Sequence, residues 1–162
     1  MILAPAIVLY DVVLAIHIMA VVIAFGLTFA LPVMFAVGAR RDPRSLPVLH
    51  RIEYTLERAL VNPGLLVVVL AGVYLASKGH EWSQFFVQWG IGAALVIGAL
   101  VGSVMIPTGK RAEQLAERDL AAAGGSGELS TEYRALTRRL ATVGTLLSGL
   151  VLLTIFFMAT KP

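Results

Sequence analysis

Four stretches of this chain carry no Asp, Glu, Lys or Arg: residues 12–39, between Asp11 and Arg40; 59–77, between Arg58 and Lys78; 82–109, between Glu81 and Lys110; and 140–160, between Arg139 and Lys161. Each is long enough for the ~17 to 25 residues that a helix needs to cross a bilayer. Inside hydrocarbon the backbone has to satisfy its own N–H and C=O groups, which leaves only helices or a closed barrel. Barrel strands are ~9 to 11 residues long with alternating polarity, and none of the four stretches alternates. The fold class expected is therefore all-α, an integral membrane four-helix bundle. Composition agrees: 58% of the 162 residues are hydrophobic and 14% are charged, against about one-quarter charged in soluble domains. A single transmembrane domain over 1–162 is expected, with helices at about 5–39, 46–78, 82–123 and 129–160.

The first stretch is expected to be retained and not cleaved as a secretory signal, because Asp11 precedes it and no basic residue does. The absence of cysteine excludes disulfides, thiolate metal sites and thiol redox chemistry. No phosphate loop, paired-histidine zinc motif or nucleophile elbow is present, and no soluble portion is large enough for nucleotide chemistry. The partner expected is the lipid bilayer, with a homo-oligomer or a larger membrane complex open and nucleic acid not expected.

Lys and Arg fix the orientation. Arg40, Arg41, Arg44, Arg51 and Arg58 crowd between helices one and two, and Lys110, Arg111, Arg118, Arg134, Arg138 and Arg139 between helices three and four. Such loops stay cytoplasmic. A multi-pass protein of a bacterial-type cytoplasmic membrane is expected, with both termini outside. Leu49, Ile52, Leu56 and Leu60 repeat at spacings of three and four, so the second helix gains an amphipathic extension before Pro63 kinks it. Helix three is expected to run on through "GKRAEQLAERDLAAA" to a break at "GGSG". "EYTLERAL" and "EYRALTRRL" each lead into a span, a pattern that fits a parallel repeat of helices 1–2 and 3–4.

One titratable group interrupts the first stretch: His17 in "VVLAIHIMAVVIAFGLTFALPVMF". A neutral imidazole can offer one ring nitrogen to iron while a carbonyl orients the other. It can equally bond a carbonyl on a neighbouring helix and do nothing else. Ala20 and Ala24 share its helical face and leave room for another helix or a flat ring. Met158, on helix four, is a second candidate metal ligand and is also explained by packing. His50, among the arginines, and His80, in the short loop, read as solvated or interfacial.

"HIMAVVIAFGLTFALPVMF" resembles the first helix of the bacterial membrane-type protoporphyrinogen oxidases, and "NPGLLVVVLAGVYL" resembles their second, with Pro63 and Gly72 at matching spacing and a similar Lys-Pro ending. Closer still is the similarity to a family of small predicted four-helix integral membrane proteins of unknown function, grouped with copper-resistance D-like proteins. The resemblance implies haem b as cofactor with His17 as an axial ligand. Where the oxidase pattern has Trp and Arg on the first helix this chain has Ala24 and Val33, and helix three carries neither the Lys nor the His of that pattern. Three functions are therefore carried forward. The first is a haem b protein for electron transfer or haem handling, which as an enzyme would be a haem-dependent membrane oxidoreductase. The second is a non-catalytic scaffold or accessory subunit, and the third a small ion or copper transporter.

Overall fold

A computed structural model describes residues 9–122 and 129–161. Four long helices account for nearly all of them: α1 Leu9–Arg41, α2 Pro43–Gly79, α3 Phe85–Ala122 and α4 Thr131–Thr160, each long and apolar enough to cross a membrane. The chain is an all-α transmembrane bundle, as its charge-free stretches require. A helix start near Pro5 and a break at Gly124 to Gly127 fall outside the described residues. Val22, Leu66, Leu70, Leu95 and Leu146 are more than half exposed, which suits a surface solvated by lipid.

α1 lies along α2, the charged first half of α2 lies on the charged last half of α3, and α3 lies on α4; α1 and α4 touch sparingly. The α1–α2 seam is built on small residues. Ala20 and Ala24 are buried, and a Cβ placed on Gly64 would stand 2.8 Å from Ala24 Cβ and 3.7 Å from the Ala20 carbonyl oxygen. Only glycine allows that approach. At the charged end, Arg51 bridges Glu113 at 2.6 Å and Glu117 at 3.0 Å, while Arg111 meets Glu132 at 2.7 Å, so the extensions of α2, α3 and α4 are tied together.

Among the described residues, two turns of π-helix interrupt the bundle, at Glu57–Val61 in α2 and at Val101–Met105 in α3. Each ends just before a proline, Pro63 or Pro107. Proline has no N–H to give the carbonyl one turn back, and its ring collides with that carbonyl. Widening the preceding turn relieves the collision: the Asn62 N–H reaches back to Glu57 O, and the Ile106 N–H to Val101 O. The kink expected at Pro63 thus takes the form of a π turn, a device that recurs at functional sites.

Candidate binding site

Polar groups share the buried face of the first half of α2. Leu46, His50, Glu53, Glu57 and Val61 turn inward, whereas Arg51, Ile52, Arg58 and Leu60 are exposed. Spacings of three and four put His50, Glu53 and Glu57 on one helical face. Of the apolar residues expected to define this extension, Ile52 and Leu60 are exposed, whereas Leu49 and Leu56 are half-buried.

His50 corrects the sequence reading most sharply. Read as solvated among arginines, it is 1% exposed. Its Nδ1 lies 3.1 Å from Glu53 Oε2, its Nε2 lies 3.0 Å from the Tyr133 hydroxyl, and its ring stacks at a tilt on Phe35 with centroids 4.6 Å apart. The proton arrangement that satisfies all three groups has Tyr133 donating its O–H to Nε2 and His50 donating Nδ1–H to the Glu53 carboxylate. This hydrogen-bonded chain joins α2 to α4. The arginines next to His50 in sequence point the other way, which is why local charge gave the wrong expectation.

Glu57, one turn further along, has no such partner. It is 6% exposed and its Oε2 makes no hydrogen bond. Glu57 opens the π turn of α2 and lies on the wall of a cavity of about 600 Å³ between α1 and α4. Phe25, Thr28 and Phe35 line it from α1, Met105 from α3 and Gly144 from α4, with Arg134 and Arg138 also on its lining. Both π turns reach this wall, Glu57 and Val61 from one and Val101 and Met105 from the other. The volume falls within the ~300–1,000 Å³ typical of small-molecule sites, and so does an apolar wall with few polar groups.

The residues singled out in the sequence lie elsewhere. His17 is half-buried in the α1–α2 seam, where its Nδ1 donates to Val68 O at 3.0 Å and its ring lies beside Gly72. Ala20 and Ala24 continue that seam against Gly64. Met158 packs on Gly90, in a cluster with Ala76, Phe86 and Phe157, so the structure does not gather it into the His17 seam. His80 closes α2 in a left-handed conformation. Among the described residues, no three His, Asp or Glu side chains are grouped to hold a metal ion. Sequence reasoning missed Glu53, Glu57 and Tyr133. The signal available was the spacing of His50, Glu53 and Glu57 on the face opposite Arg51 and Arg58.

Fold and site together define a polytopic α-helical membrane protein with a cavity between its helices. Residues 11–162 match the model of the family described as predicted integral membrane protein (DUF2269), and the chain belongs to that family. No curated protein and no solved structure matches it.

Proposed function

We propose that this chain is a membrane-embedded binding protein for an amphipathic small molecule, and that the cavity between α1 and α4 is its working site. The observation that carries the reading is Glu57: a carboxyl buried in an apolar wall with one oxygen unpartnered. Leaving a polar group in that state costs about 1–3 kcal/mol. An ionisable group buried in a membrane-spanning helix points to a functional site by default. The sparse contact between α1 and α4 gives a lipid-soluble molecule its way in. The eleven Lys and Arg at the charged end support an orientation with that end cytoplasmic and both termini outside a bacterial-type membrane. The test is binding of a neutral anthracene fluorophore to the protein in phosphatidylcholine nanodiscs. Saturable binding at one site per chain is expected, abolished by Gly144→Trp with helix content unchanged. Unsaturable partitioning, equal in both proteins, would refute the reading.

A second reading is favoured by a specific contact, the bond from His17 Nδ1 to Val68 O. A backbone carbonyl accepts only from a protonated nitrogen, so Nε2 is left with its lone pair, the form in which histidine ligates iron. The resemblance to membrane-type protoporphyrinogen oxidases and copper-resistance D-like proteins supports haem b as the group held. Ala20 and Ala24 are closed by Gly64, so such a haem has to find room on the half-exposed side of the imidazole. A Soret band in haem-replete protein, lost in His17→Ala, is the expected result; colourless protein would remove this reading and leave the first.

A further inference from the structure

The balance of donors and acceptors in the cavity specifies the ligand further than its shape does. The donors among the buried groups are engaged: Tyr133 O–H is on His50 Nε2, and His50 Nδ1–H is on Glu53. What remains is the Glu57 carboxyl, an acceptor once its proton has left, on the same helical face as a second carboxyl, Glu53. α1 and α3 contribute only uncharged side chains to the lining. The cationic groups on the lining, Arg134 and Arg138, belong to exposed residues on α4. Phe25, Phe35 and Tyr133 add aromatic rings, whose faces attract cations and do so more strongly where water is excluded. An ionised carboxylate left alone in such a wall is costly, so Glu57 either carries a proton or meets a positive charge.

We infer that the cavity is a site for a lipophilic organic cation, an ammonium, phosphonium or delocalised aromatic cation, that arrives from lipid between α1 and α4 and displaces the proton of the Glu57 carboxyl. This rests on the cavity being the working site and adds the charge of its occupant. The exchange balances: protonated Glu57 and a free cation become a carboxylate–cation pair and one proton released to water. No bond other than the carboxyl O–H is broken. Arg134 and Arg138 disfavour a cation from the charged end, which leaves the apolar gap between α1 and α4 as the route.

The experiment uses tetraphenylphosphonium and the full chain in phosphatidylcholine nanodiscs, with binding followed by calorimetry from pH 6 to pH 9. Because the cation competes with a proton, affinity should rise with pH by up to about tenfold per unit over the range in which the carboxyl titrates. One proton should be released per cation bound, read from the dependence of the heat on buffer ionisation enthalpy. Glu57→Gln should lose that pH dependence and most of the high-pH affinity while still binding the neutral anthracene, which shows the cavity intact. Glu57→Asp should keep a pH dependence. If wild type binds anthracene but not tetraphenylphosphonium, or binds both equally at every pH, the inference is overturned and the cavity reading stands. If neither molecule binds saturably, both are overturned.

Discussion

Replacing Glu57 by leucine should make the protein more stable. The side chain is 6% exposed and its Oε2 finds no partner, so the folded state carries the desolvation of a carboxyl without a compensating bond. That penalty is about 1–3 kcal/mol, and a leucine of similar reach removes it while adding apolar contact to Val61 and the cavity wall. The expected gain is about 1–3 kcal/mol, roughly 5- to 150-fold in the ratio of folded to unfolded protein at 1.4 kcal/mol per decade. Glu53→Leu is the internal control. It strips the acceptor from His50 Nδ1, which is itself buried, and should cost about 1–3 kcal/mol. Two carboxyls one turn apart on one helix therefore give opposite signs. Reversible unfolding in mixed micelles with increasing dodecyl sulfate, followed by far-ultraviolet circular dichroism, reads both. If Glu57→Leu destabilises as much as Glu53→Leu, Glu57 is a partnered structural group and the reasoning about its vacant acceptor fails. A stabilised Glu57→Leu that no longer binds cation would be the expected exchange of stability against function.

Three further outcomes follow from named contacts. His50→Leu and Tyr133→Phe in a double-mutant cycle should couple by about 0.5–3 kcal/mol, since the 3.0 Å bond joins them across α2 and α4; strictly additive losses would show that bond to be absent. Gly64→Ile should sharply reduce folded yield, because its Cβ alone reaches 2.8 Å from Ala24 Cβ, whereas Gly26→Ile, which meets nothing within 4 Å, should leave yield unchanged; equal yields would contradict the α1–α2 seam. Single cysteines are informative in a chain that has none of its own: one at Ser83 should react with an impermeant maleimide in intact cells and one at Gln114 should not, and the reverse pattern would invert the orientation.

The helices were legible because lipid imposes a coarse rule: a charge-free run of bilayer length has to be a helix or not exist. What lipid erases is the rule by which soluble helices are read. In water the apolar face of an amphipathic helix turns inward, but here Ile52 and Leu60 are exposed, Leu49 and Leu56 are half-buried, and His50, Glu53 and Glu57 face inward. The period was correct and the sense of the face was not fixed by it. Tyr133 lies 83 residues from His50, so no local pattern announces their bond. His17 was conspicuous for being alone in an apolar run, and its partner, the Val68 carbonyl, is a backbone group that any residue supplies. Pro63 marked where α2 would be disturbed and Pro107 went unremarked in α3; that both disturbances border one cavity depends on how the helices pack.

The most direct measurement of the central claim is photolabelling with a lipophilic ammonium that carries a diazirine, in phosphatidylcholine nanodiscs, with the adducts mapped by peptide mass spectrometry. The expected result is labelling concentrated at Glu57 and on the facing walls, at Phe25 and Thr28 of α1 and around Gly144 of α4, and displaced by excess unlabelled ammonium. Labelling spread evenly over lipid-facing residues such as Val22, Leu95 and Leu146, and unaffected by competitor, would contradict it.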